Sequence, residues 1–236
     1  MKLRFAALTD IGKVRPENED RFLCNEKLGL FGVADGIGGL PGGAEAAACT
    51  VDFITAGIKS GTDNLTTLTQ AASEAVLELG QRFNPAFGIG STLTYGLFKN
   101  GLLSLSHVGD SRCYMVQKGQ LMQLTEDHSM ENEARHLRAM GQNVRVSESN
   151  RNALTRCIGQ PGLPKVDVKE YPVAPGDRYL FATDGITRMI SEPALANILL
   201  RDGTPDELLR QIITLALDGG GYDNATGVLI FVDEVP

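Results

Sequence analysis

Two apolar runs in this chain end in Asp-Gly and then change to a helical pattern. The first, LFGVADGIGG, reaches Asp35-Gly36, and the second, RYLFATDGIT, reaches Asp184-Gly185. Asp-Gly after an apolar strand ordinarily makes a hairpin turn, which needs a second strand at once. Here GIGGLPGG and an Ala-rich stretch follow Asp35, and GITRMISEPALANILL follows Asp184. Both read as strand-to-helix junctions, with the carboxylate at the sheet edge and Gly allowing close backbone approach. A third run, LSLSHVGDSR, carries Asp110, and YDNATGVLIFV opens on Asp223-Asn224. An Asp at the end of a buried strand is costly unless positive charge meets it. Four such strand ends suggest carboxylates that converge on metal ions.

Oxygen ligands of this kind suit hard divalent cations, Mg²⁺ or Mn²⁺. A Gly carbonyl can join them. No His or Cys pair sits at zinc spacing. The chemistry implied is two-metal hydrolysis, in which a bridging carboxylate holds ions ~3.5–4 Å apart and a shared water becomes the nucleophile. Arg15, in KVRPENED, precedes Asn18, Glu19 and Asp20. It reads either as a structural ion pair or as a bidentate phosphate binder beside the candidate ligand Asp20.

Charge and composition narrow the partners. The net charge is −7 and no Lys/Arg block is present, which argues against nucleic acid. No apolar stretch approaches transmembrane length, so no membrane partner is expected. The N-terminal MKLRFAALTD makes a poor signal peptide, and a cytoplasmic location is expected. Cys24, Cys49, Cys113 and Cys157 form no CxxC pair and read as free thiols.

Residues 3–9, 28–34, 91–98, 102–108, 112–117, 120–124, 166–171, 178–183 and 225–232 read as strands. Lys99-Asn100-Gly101 and Lys118-Gly119 read as hairpin connections. Helices are expected over 44–58, from an Asn64 cap through Phe83, and from the Thr204-Pro205-Asp206-Glu207 capping box to Gly219. Hairpin-linked strands in runs, with helices grouped between them, suggest antiparallel sheets covered by helices. Residues 129–164 are polar, with one short helix, and read as a flap inserted into a single domain spanning 1–236, or as an ordinary surface excursion.

Other motifs weigh less. GIGGLPGG fails the dinucleotide fingerprint, and no GxxxxGK[ST] is present. GDSRC resembles a nucleophile elbow, but Cys113 replaces the final Gly. Asp127-His128-Ser129 suggests a proton relay, although a local cap or turn fits adjacent residues better. His107 and His136 are expected at the core edge and on the surface, without paired partners.

Taken in order, RPENED at 15–20, VADGIGG at 33–39, GSTLT at 90–94, HVGDSR at 107–112, LTEDHS at 124–129, LTRCIG at 154–159, FATDGIT at 181–187 and DNAT at 223–226 resemble the metal-dependent PPM/PP2C serine/threonine phosphatases of compact bacterial type. The resemblance spans essentially the whole chain. It implies an α+β fold, a four-layer α-β-β-α sandwich with two central antiparallel sheets and a metal centre in the cleft at their edge. It implies two Mn²⁺ or Mg²⁺ ions bridged by Asp35, with the Gly36 carbonyl, Asp184 and Asp223 completing the centre and Asp20 either binding through water or standing behind the ligands. Asp110 matches the position of a third, weaker ion. Asn224 would orient its neighbours, Glu19 stands where many bacterial members have Gln, and Arg15 would hold the substrate phosphate. The 129–164 insertion matches the family's flap, which shapes substrate access.

Ile37 stands where animal members place a proposed general-acid His in DGHGG, and Leu40 where many bacterial members have His in DGMGGH. Metal-bound water would then protonate the leaving group, or the enzyme would be slower on alkyl esters than on aryl phosphates. The activity expected is hydrolysis of phosphoserine and phosphothreonine in proteins, opposing a Ser/Thr kinase, by a monomer. A phosphoprotein-binding regulator with little catalysis and a hydrolase of small phosphate esters are the alternatives.

Overall fold

The computed structural model describes residues 1–37 and 42–236. Two five-stranded antiparallel sheets form its centre. One runs β1 (Lys2–Asp10), β10 (Ala225–Glu234), β9 (Arg178–Ala182), β6 (Arg112–Gln117), β7 (Gln120–Gln123). The other runs β2 (Asp20–Asn25), β3 (Leu30–Asp35), β4 (Leu93–Lys99), β5 (Leu102–Val108), β8 (Asp167–Pro172).

The period-two alternation of side chains builds the layers. In β3, Leu30 and Ala34 face a core shared with α1 (Gly43–Lys59) and α2 (Leu65–Phe83), through Ile54, Leu68 and Val76. Phe31 and Val33, between them, face the opposite sheet. In β10, Leu229 and Phe231 pack under α5 (Glu192–Leu199) and α6 (Pro205–Asp218), while Val228, Ile230 and Val232 meet Phe31 and Val33. A strand covered on both faces reads as a continuous apolar run, which is why GVLIFV lacks alternation. The result is the expected α-β-β-α sandwich.

Local signals explain the connections. The β4–β5 turn has positive φ at Asn100 (54°) and Gly101 (77°), and the β6–β7 turn has it at Lys118 (51°) and Gly119 (75°). Two successive positive φ values match the twist of a two-residue hairpin. Asn64 caps α2 by accepting from the Thr67 N–H. Thr204 and Glu207 form the reciprocal capping box of α6.

Some boundaries differ from the sequence reading. The strand expected from 28 starts at Leu30, because Glu26–Leu28 is a 3-10 turn closed by Gly29 at φ 65°. Ser91 makes isolated bridges to Gly36 and Ile158 rather than opening β4. β2 was not anticipated: DRFLCN has no apolar alternation, and its partner β3 lies across a turn. Its register sets Asp20 opposite Asp35. Residues 129–164 hold α3 (Met130–Ala139), capped by Ser129, and a 3-10 turn at Glu148–Asn150.

Candidate metal centre

The acidic strand ends meet at one edge of the two sheets. Asp20 opens β2 and Asp35 closes β3, paired across the ladder. Asp184 opens α4 (Asp184–Thr187), directly after β9, and Asp223 precedes β10 in the facing sheet. Asp110 lies in the β5–β6 connection. Arg15, Asp35, Gly36, Asp110, Asp184 and Asp223 all border one cavity of about 400 Å³. Asn152, Ala153 and Leu154 form part of its rim, so the expected flap borders the pocket.

Backbone contacts hold these groups in place. The Asp35 N–H donates to Thr92 Oγ1 at 3.0 Å, its carbonyl accepts from the Thr92 N–H at 2.8 Å, and Ser91 Oγ donates to the same carbonyl at 3.0 Å. That is the work of GSTLT. A Cβ on Gly36 would strike the Gly43 and Glu19 carbonyls, and one on Gly185 would strike the Asn224 carbonyl. Glycine follows both aspartates because the chain passes too close for any side chain. Asn224 is buried; its Oδ1 accepts from the Glu19 N–H at 2.8 Å, and its Nδ2 donates to the Ile11 and Glu17 carbonyls at 2.9 Å. It thereby fastens the segment carrying Arg15, Glu19 and Asp20 to the start of β10.

Charge in the pocket is poorly balanced. Burial, and then Asp20, Asp184, Asp110 and Asp223, push the Asp35 carboxyl well above its usual range. Burial pushes Asp20 up to about 8, against the lowering effect of Thr226 and Thr183. Asp110 is pushed up to about 6 by burial and then by Asp184, with Arg188 opposing. Burial also raises Asp184 and Glu19. Two arginines answer part of this charge. Arg15 Nη2 donates to Asp223 Oδ2 at 2.7 Å. Arg188 Nη2 donates to Asp110 Oδ2 at 2.8 Å and lies 2.9 Å from Asp184 Oδ2.

Two buried oxygens, Asp20 Oδ1 and Asp184 Oδ1, have no hydrogen-bond partner. A buried carboxylate oxygen without a partner calls for a cation or water. The carboxylate set, the orphaned oxygens and the bare Gly36 backbone fit hard divalent ions. Among the described residues no three such side chains are yet arranged to hold one ion. Several of the other oxygens are engaged elsewhere. Thr183 Oγ1 takes Asp20 Oδ2 at 2.8 Å, and the two arginines take one oxygen each of Asp110, Asp184 and Asp223.

Arg188 was missed by the sequence reading. Its only signal is its place four residues after Asp184, the spacing that brings side chains together on a helical turn. Asp127-His128-Ser129 is structural, as the sequence suggested. Asp127 takes a bidentate pair from Arg112 at 2.9 and 2.7 Å. His128 Nδ1 accepts from the Gly109 N–H at 3.1 Å, and its Nε2 lies 3.3 Å from Asp167 Oδ2. His107 is buried and not isolated: its ring lies 4.6 Å from that of His128, because β5 and the residue 128 segment pack together there. His136 is exposed and pairs with Glu126 at 2.6 Å. Ile37 borders the pocket, while the expectation for Leu40 lies outside the described residues.

The family model described as protein phosphatase 2C matches residues 8–224. A serine/threonine phosphatase stp from Listeria innocua is 31% identical over 235 residues, covering 94% of this chain and 93% of that protein. The structure of the S. agalactiae serine/threonine phosphatase superposes with a TM-score of 0.87 at 31% identity, covering 98% of this chain and 100% of that one. The catalytic domain of the serine/threonine protein phosphatase PstP in complex with two manganese ions superposes with a TM-score of 0.82 at 30% identity, covering 98% and 99%.

Proposed function

This chain belongs to the protein phosphatase 2C family, and from that premise we propose that its acidic pocket hydrolyses phosphoserine and phosphothreonine in proteins with the help of two divalent ions, Mn²⁺ or Mg²⁺. The observation that carries this reading is the facing pair Asp20 and Asp35, with Asp184 bordering the same cavity as Asp35 and buried oxygens left unpartnered at Asp20 and Asp184. Asp35, the Gly36 carbonyl, Asp184 and Asp223 would hold the ions, with Asp20 behind them. Ions so held supply a water of lowered pKa and positive charge at the phosphoryl oxygens.

The chain's own residues supply the rest. Arg15 is anchored to Asp223 through one nitrogen, which keeps its remaining donors at the cavity wall for phosphoryl oxygens. Asn224 and Thr92 fix the backbones on either side, so binding asks the carboxylate side chains to turn toward the ions while the main chain stays in place. Ile37 offers no proton, so the serine or threonine oxygen takes its proton from water in the pocket. A third, weaker ion at Asp110 would have to displace Arg188.

The chain is read as one domain, with the 129–164 segment governing access, acting as a monomer on proteins phosphorylated by a Ser/Thr kinase. No helix among the described residues is long and apolar enough to cross a membrane. The four free cysteines support a reducing compartment such as the cytoplasm. The test is hydrolysis of phosphoserine and phosphothreonine peptides with Mn²⁺ and then with a chelator. Asp35→Asn and Asp184→Asn should each abolish turnover in protein that keeps its far-UV circular dichroism. Turnover in the chelator, or in either variant, would defeat the proposal.

A further inference from the structure

Arg188 closes one end of the acidic pocket. It follows α4, and its guanidinium bridges Asp110 Oδ2 at 2.8 Å and Asp184 Oδ2 at 2.9 Å. Asp110 and Asp20 are both buried; Asp110 Oδ2 accepts from Arg188, while Asp20 Oδ2 accepts from the Thr183 hydroxyl. The two oxygens of Asp184 are divided: Oδ2 belongs to Arg188, while Oδ1 is buried and unpartnered. The Asp110 end therefore already has a direct ion pair, whereas among the described residues Asp20 and Asp35 have none, although the charge of Arg188 also reaches Asp35.

We propose that Arg188 is a built-in cation of this pocket, which keeps divalent ions out of the Asp110 end and confines them to Asp20, Asp35, Asp184 Oδ1 and Asp223. An ion bound to Asp110 Oδ2 at the usual ~2.0–2.2 Å would share that oxygen with a guanidinium nitrogen 2.8 Å away. The two like charges would lie within about 5 Å of each other in a partly desolvated site, a repulsive arrangement. A guanidinium cannot relieve this by losing its proton. Removing the side chain leaves Asp110 and Asp184 Oδ2 as a pair of unanswered buried oxygens, a place for one more ion. The inference rests on the metal-centre reading and adds the number of ions and their placement.

The experiment counts Mn²⁺ bound to the intact chain at saturation, by equilibrium dialysis and by the electron paramagnetic resonance of free Mn²⁺, without substrate. Arg188→Ala and Arg188→Gln are compared with wild type; the Gln variant keeps most of the side-chain length without its charge and guards against a loss of packing. Each should bind one more equivalent of Mn²⁺ than wild type, and adding Asp110→Ala should remove that equivalent. Equal counts in wild type and both variants would overturn the inference. So would loss of an equivalent from wild type on Asp110→Ala alone. A wild type that binds no Mn²⁺ would overturn the metal-centre reading and this inference with it, a result distinct from equal non-zero counts.

Discussion

Replacing Asp20 by Asn should stabilise the metal-free protein while weakening its hold on metal. Asp20 is 2% exposed, and one of its oxygens has no partner. Burial first, and then its acidic neighbours, raise its carboxyl from the usual 3.8 to about 8. The folded-state value is the higher one, so the stability it contributes is full below pH 4, where both states are protonated, and is lost as pH rises through 8. At pH 7 an ordinary carboxyl in the unfolded chain is ionised by about three units. At about 1.4 kcal/mol per unit, keeping or ionising Asp20 in the folded pocket costs roughly 4 kcal/mol. An Asn at this position keeps an oxygen for the Thr183 hydroxyl and has no proton to hold against its ionisation. For a chain of this size each kcal/mol moves the midpoint by roughly 2–4 °C, so a rise on the order of 5–15 °C is expected. Differential scanning calorimetry in chelator at pH 7 reads it directly. The gain should shrink toward zero near pH 4, and it should reverse at saturating Mn²⁺, because wild type is then stabilised by ligand binding and the variant less so. An Asp20→Asn protein that melts lower than wild type in chelator at pH 7 would refute the reasoning, since Asp20 would then be a structural acceptor rather than a carboxyl that the fold keeps from ionising.

Arg15→Ala should raise KM for a phosphopeptide by about 10- to 100-fold with a smaller change in kcat, as expected for loss of a charge-assisted hydrogen bond to phosphate; an unchanged KM counts against the phosphate role. Asn224→Ala removes the partners of the Glu19 N–H and of the Ile11 and Glu17 carbonyls, and should destabilise by about 2–3 kcal/mol. Urea denaturation with an unaltered midpoint would show that water replaces these bonds. Gly185→Ala should cost more than about 2 kcal/mol, or roughly 4 °C and above, because its Cβ would strike the Asn224 carbonyl; thermal melting at the wild-type temperature would refute the close approach.

Local patterns made most of the fold legible. The hairpins at Asn100-Gly101 and Lys118-Gly119, the Asn64 cap and the Thr204 capping box all act within a few residues, and each stands where the sequence placed it. β2 escaped because DRFLCN carries no alternation. Its strand character comes from pairing with β3, and the register of that pairing is what brings Asp20 to Asp35. The acidic members of the candidate site were visible because an Asp after a buried apolar run is costly and therefore conspicuous. Arg188 was not conspicuous: an arginine in TRMISE reads as an exposed helix residue. Only the turn after Asp184, together with the approach of the β5–β6 connection, gives it Asp110 and Asp184 as partners.

The chain order of apolar runs, turns and strand-end aspartates was enough to point to antiparallel sheets covered by helices and to an acidic pocket suited to divalent ions, since these follow from periodicity and from the cost of burying charge, while the four-layer sandwich was implied by the family resemblance. Which carboxylate oxygen is left bare, which is answered by Arg15 or Arg188, and how Asn224 draws a loop from the other end of the chain to β10 were decided only by tertiary structure. Those pairings join residues up to 213 positions apart in sequence, and a contact at that separation depends on how two sheets stack, for which no neighbouring residue carries a signal.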